Sequence, residues 1–137
     1  MKRFLPGILT YVAVTFATQG VSHFAITRAH YATISFMRAE PIFALGISSM
    51  VIQGAILTYL FPFYARGSTQ LGRGLGFGLL VGAFFVSYPA LAEAAKFPVP
   101  ALLPWIMVES VTGLVQFGLF GTLLALLHRR TTPLVGA

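Results

Sequence analysis

The chain has 137 residues, of which 57% are hydrophobic and only 9% charged, and a soluble domain of this size has too small an interior to hide so much apolar surface. It contains no cysteine, which excludes disulfides, thiolate metal sites, cysteine nucleophiles and CxxC thiol exchange. The net charge of +6 comes from basic residues set in ones and twos at the ends of apolar runs. That is a topology signal and not the aromatic-interleaved basic patch of a nucleic-acid binder, so no nucleic-acid partner is expected.

Four apolar runs follow in order, over residues 4–26, 41–64, 75–95 and 101–127. Each reaches the ~20 residues that cross a ~30 Å hydrocarbon layer at 1.5 Å per residue. The shorter, alternating pattern of a membrane β-strand is absent. The expectation is therefore an all-α fold, a four-helix transmembrane bundle, with residues 1–137 forming a single integral domain in the lipid bilayer. Lys2 and Arg3 ahead of the first run also describe a secretory signal, with Thr15-Phe16-Ala17 as a cleavage site. The apolar character continues to Ile26, however, beyond the ~7–15 residues of a signal core.

The first run carries a polar stripe of Thr15, Thr18, Gln19, Ser22 and His23. The segment from Thr27 to Glu40 is the longest connection, and Tyr31, Ile34, Phe36 and Met37 make it apolar enough to lie along the surface, partly as helix. In the second run Gly46, Ser49 and Gly54 offer close-packing positions, and Gln53 a mid-membrane hydrogen bond. The third run repeats glycine every four residues at Gly74, Gly78 and Gly82, a groove that Gly76 widens. Helices in lipid associate through such close backbone contacts and through hydrogen bonds. The run from Gly72 to Gly78 lacks the preceding strand and following GK[ST] of a phosphate loop. Pro89 should kink this helix and free the carbonyl of Phe85, beside Tyr88 and Glu93. In the fourth run Pro104 fits a first turn. Glu109 then shares a face with Thr112, Gly113 and Gln116, and Gly113, Gly118 and Gly121 offer further packing positions.

Alternation of the spans puts Lys2, Arg3, Arg66, Arg73, Arg129 and Arg130 on one side and Arg28, Arg38 and Lys96 on the other. The positive-inside bias then makes both termini cytoplasmic, in a bacterial inner membrane, with Tyr64 and Trp105 in the two aromatic belts. All three acids, Glu40, Glu93 and Glu109, fall on the outer half.

The candidate ligand-binding residues are accordingly Glu109, Gln19, His23, Glu93 and Tyr88, since ionisable groups at membrane depth turn inward and find partners or water. For Glu109 two roles stand side by side: a ligand, proton or cation site, or a hydrogen bond to Gln19 or His23 that fixes helix register. Interfacial ion pairs with Lys96 for Glu93, and with Arg38 or Arg28 for Glu40, are the plainer expectation. His23 and His128 lie at opposite ends, so no bis-histidine haem arrangement is offered. No metal and no cofactor are expected.

Three segments carry a resemblance: His30-Tyr31 through Phe36-Met37-Arg38-Ala39-Glu40-Pro41, Gly78-x-x-x-Gly82 leading to Tyr88, and Val108-Glu109 followed by Gly113. On these the chain, roughly from Gln19 to Leu127, resembles a bacterial family of small four-helix membrane proteins known as a domain of unknown function. The family pattern implies an acid in the first helix and an aromatic three residues later, where this chain has Gln19 and Ser22. It also implies an aromatic before the last-helix glycine, where this chain has Thr112. The resemblance implies architecture and draws attention to Glu109, but no activity.

Two functions follow. One is a non-enzymatic structural or accessory subunit associating with a larger membrane complex or with itself, suggested by small size, short loops and small-residue faces. The other is a transporter or binding protein for a small solute, lipid or cation through Glu109, Gln19, His23 and Glu93. An enzyme acting on lipid or quinone would need a nucleophile, metal triad or cofactor motif that is not recognisable here.

Overall fold

The computed structural model describes residues 3–129 except Met37 and Ala39. Lys2, Arg130 and the motif positions Met37 and Ala39 thus lie outside the described residues. Helix α1 (Phe4–Val21) runs on through a π-helical turn at Ser22–Ile26, and a short α2 (Arg28–Tyr31) follows. Helix α3 spans Phe43–Ala65; α4 (Leu71–Ser87) passes through a second π turn at Tyr88–Glu93 into α5 (Ala94–Lys96). The last helix, α6, is Leu102–Arg129. No strand occurs among the described residues.

Four helical stretches, Phe4–Ile26, Phe43–Ala65, Leu71–Lys96 and Leu102–Arg129, are long and apolar enough to cross a membrane. The protein is an all-α, multi-pass membrane protein with a four-helix bundle. Large apolar side chains such as Leu9, Ile52, Leu80, Phe84 and Leu103 point outward, as a lipid solvent permits. The second helix begins at Phe43, after Pro41, because Ile42 is still non-helical at ψ 87°. The third begins at Leu71 and takes Gly72 and Gly74 into its first turns. Between α3 and α4 the chain reverses through Arg66 and Gly67, both at positive φ (47° and 80°). Glycine adopts that left-handed conformation without a Cβ penalty.

With four crossings, Arg3 and Arg129 lie at one end with the α3–α4 turn, here the terminal end. Arg129 donates from Nε to the Thr69 carbonyl and ties that end together. At the other, capped end lie the α1–α3 connection and the α5–α6 connection.

Helix α6 is central, flanked by α4 and α1, and α3 packs on the far side of α1. The α4–α6 contact is backbone to backbone. A methyl on Gly74 would strike the Gly121 carbonyl, one on Gly78 the Phe117 carbonyl, and one on Gly121 the Gly74 carbonyl. Gly82 would meet the Phe117 side chain at 3.0 Å, and Gly113 abuts Val86. Gly54 takes the Tyr11 side chain in the same way, at 3.0 Å. Gly46 and Gly76 depart from expectation: nothing lies within 4 Å of a Cβ on Gly46, while Gly76 faces the Tyr64 hydroxyl at 3.1 Å and not α6. The terminal half is filled by Leu57, Phe61, Phe77, Phe120 and Leu124, with Tyr11 and Phe120 crossing edge to face at 4.9 Å, a favoured aromatic geometry.

The capped end is closed over α6 by the α1–α3 connection. Ile34 is buried there, and Phe36 stacks on Phe97 with ring centroids 5.5 Å apart. Trp105, expected in an exposed belt, is 5% exposed beneath this cap. Its indole N–H donates to the Pro89 carbonyl at 2.9 Å. The kink region therefore presents Pro89's own carbonyl to a side-chain donor, where that of Phe85 was expected. A π turn absorbs the missing proline N–H by widening the helix locally.

Candidate functional site

Helices α3 and α4 meet near the terminal end, where Phe61 and Tyr64 pack on Phe77 at 5.3 Å each and Arg73 lies over Tyr64. Toward the capped end they part and leave a cleft of about 310 Å³. One wall is α3, with Gly46, Ser49, Met50 and Gln53; the other is α4, with Phe85, Val86 and Pro89. Polar groups of α1 and α6 form the floor: Tyr11, Thr15 and Gln19 from the first, Glu109 and Gln116 from the second.

These polar groups satisfy one another across helices, as groups removed from water must. Gln19 Nε2 donates to Gln116 Oε1 at 2.8 Å, and Gln116 Nε2 donates to Thr15 Oγ1 at 3.0 Å. Deeper, the Tyr11 hydroxyl donates to Gln53 Oε1, and Gln53 Nε2 donates to Ser49 Oγ at 3.1 Å. Gln53 and Gln116 thus make the interhelical bonds their depth implied. Tyr11 extends the Thr15–Gln19 stripe by one turn at four-residue spacing. That periodicity was the available signal for it.

Glu109 turns inward, half-buried, and lines this floor with Gln19. Its hydrogen-bond donor is the Tyr31 hydroxyl, at 2.9 Å to Oε1, and not Gln19 or His23. His23 acts one layer out, its ring stacked on Tyr31 with centroids 3.7 Å apart and planes 11° from parallel. His23 Nδ1 lies 3.0 Å from the Gln19 carbonyl. Since a carbonyl only accepts, that nitrogen carries the proton. Burial, and then the Glu109 carboxylate beside it, push the Tyr31 phenol well above its ordinary 10.0. Both causes oppose a phenolate.

Tyr31 reaches this place because the π turn sets the start of α2. Thr27 N–H bonds back to the Ser22 carbonyl at 2.8 Å, and the Ser22 hydroxyl lies 3.0 Å from that of Thr112 on α6. Tyr31 N–H in turn bonds to the Thr27 carbonyl at 3.1 Å. The sequence reading placed Tyr31 only among the apolar residues of a surface loop. Its pairing across 78 positions has no local periodic signal.

Glu93 and Tyr88 do not join the cleft. Both lie on the second π turn. Tyr88 is 55% exposed, and the Lys96 ammonium stands 5.4 Å from its ring centroid, a cation–π contact that engages the cation expected to pair with Glu93. Glu40, Arg28 and Arg38 are exposed at the capped end. Among the described residues no three His, Asp or Glu side chains converge as metal ligands. What the cleft offers is one carboxylate, three amides, three hydroxyls and aromatic walls, a set suited to holding a small polar molecule by hydrogen bonds and charge. Compared with family models, with curated proteins and with solved structures, the chain matches none.

Proposed function

We propose that the protein is a non-enzymatic membrane protein of a bacterial inner membrane that binds or carries a small solute in the cleft between α3 and α4. One observation carries this reading: a half-buried carboxylate, Glu109, opens onto a polar-floored cavity of about 310 Å³ inside an otherwise apolar bundle. A cavity of this volume is at the small end of the range for ligand sites. Polar groups at membrane depth are costly enough that a line of them calls for a use.

The accessory-subunit reading draws its support from α3, whose residues 41–49 are all exposed and leave a face for another protein or a second copy. Its other motive, the small-residue faces, is largely taken up within the chain, since Gly74, Gly78, Gly113 and Gly121 are covered by its own helices. The basic residues Arg3, Arg66, Arg73 and Arg129 at the terminal end favour a cytoplasmic position for that end. Kinship with the small four-helix family rests on the three quoted segments.

The test is native mass spectrometry of protein extracted in mild detergent. A small molecule should accompany the wild type and be lost from Gly46→Leu, which fills the cleft from a position with open space around it. A protein partner at fixed stoichiometry, retained by both forms with no small molecule, would favour the accessory reading. Reporter fusions at the C-terminus should be active only for a cytoplasmic reporter.

A further inference from the structure

We infer that the cleft takes a small lipophilic organic ammonium, a monocation that keeps at least one N–H and carries a short apolar or aromatic body. This rests on the cleft-binding reading above and adds the class of ligand.

Charge comes first. Glu109 is the single ionisable acid of the lining, and no lysine, arginine or histidine lines the cleft with it. Its Oε1 is engaged by Tyr31, and among the described residues Oε2 has no donor. A carboxylate at this depth without a counter-ion calls for a cation to share the site. The nearest histidine, His23, is stacked on Tyr31 and committed through Nδ1 to the Gln19 carbonyl.

Hydrogen-bond polarity points the same way. The amide orientations follow from the chain of donors: Gln116 Nε2 is given to Thr15 and Gln116 Oε1 accepts from Gln19. Gln19 Oε1 is then left as a second acceptor, one without a donor among the described residues. The site therefore offers acceptors near Glu109 and asks for a ligand with donors. A primary or secondary ammonium meets both demands, and a quaternary ammonium meets only the charge.

The body of the ligand is set by the walls. Phe85 and Phe117 stack at 5.1 Å, with Met50 and Val86 across and beside them, so an aryl or alkyl group beyond the ammonium finds apolar and aromatic surface. The opening lies between α3 and α4, where lipid stands in a bilayer, and admits a cation lipophilic enough to partition there. A hydrated alkali ion gains little from such walls.

The experiment uses the full chain in nanodiscs and measures equilibrium binding of 2-phenylethylammonium, with 2-phenylethanol, benzyltrimethylammonium and sodium as comparison probes. The amine should bind saturably, and the alcohol and the quaternary ion about tenfold or more weakly, the value of one charge-assisted hydrogen bond. Glu109→Gln, which keeps an acceptor for Tyr31, should lose about tenfold for the amine and change little for the alcohol. Gly46→Leu should abolish binding of both. Equal affinity for amine and alcohol, with Glu109→Gln neutral and Gly46→Leu still blocking, would overturn the ammonium class while leaving the cleft as a binding site. Displacement of the amine by millimolar sodium would likewise overturn it in favour of an inorganic cation. If no probe binds, or Gly46→Leu leaves amine binding unaltered, the ammonium class and the cleft reading fall together.

Discussion

The terminal and capped halves of the bundle draw on the same four helices and both contain glycine, yet glycine serves opposite ends in them. At Gly74, Gly78 and Gly121 a neighbouring backbone has arrived where a Cβ would be, and the helices lock. At Gly46, on the capped side of α3, nothing stands within 4 Å, and the absent side chain leaves space instead of contact. A small residue in a membrane helix is thus permission for approach, and the partner helix decides whether the permission is used. Helix α4 uses it against α6 and withholds it from α3, so one half becomes a packed core and the other a cleft.

The strongest way to break this contrast is Gly78→Leu. Its side chain has only the Phe117 backbone to displace, so destabilisation of about 3 kcal/mol or more is expected, at the upper end of overpacking. Thermal unfolding in detergent measures it, and an unchanged midpoint would remove the α4–α6 lock. Next comes Glu109→Leu, which strands the Tyr31 hydroxyl and should cost about 1–3 kcal/mol. Glu109→Gln, keeping an acceptor, should stay within about 0.5 kcal/mol of wild type. Equal losses in the two would show that the carboxylate's charge, and not its hydrogen bond, holds the cap.

Tyr31→Phe retains the stack on His23 and loses one bond, for about 0.5–1.5 kcal/mol. It also carries a pH signature. The folded phenol is raised above its ordinary 10.0, so the folded state holds its proton more tightly than the unfolded chain does. The stability this contributes is fully present below pH 10 and is lost as pH climbs from there through the folded value. Wild-type stability should fall along that limb, and Tyr31→Phe should flatten it. The smallest effect is assigned to Gly46→Ala, a gain of about 0.5–1 kcal/mol from helix propensity with nothing to collide with. A loss there would place a neighbour where the cleft is drawn.

Properties that repeat along one helix were legible in the sequence. Runs of twenty apolar residues marked the four helices, four-residue spacing marked Gly74-Gly78-Gly82, and the expense of a buried charge turned Glu109 inward. Contacts that join distant segments were not. Tyr31 meets Glu109 because a connection folds back over the bundle end, and its residues carry no period that aims them. Gly46 and Gly54 read alike in sequence, yet only Gly54 receives a neighbour, Tyr11 of α1. Trp105 had the composition of an interfacial anchor, but the cap that buries it comes from residues some seventy positions away.

The turn at Ser22–Ile26 has a further consequence. A π turn closes its hydrogen bond over one more residue than an α turn, as the Thr27-to-Ser22 bond shows, so it stores a single-residue insertion without disturbing the helix before it. Each residue in an α-helix advances the chain ~1.5 Å and turns it by about 100°. Deleting one residue here would let the turn relax to α and leave Thr15 and Gln19 in register with Gln116. Everything after it would be rotated, swinging Tyr31 off Glu109. The bulge is a phase adjuster between two parts of the molecule that answer to different constraints. The helix below must match its neighbours in the bilayer, and the segment above must deliver a phenol to one carboxylate.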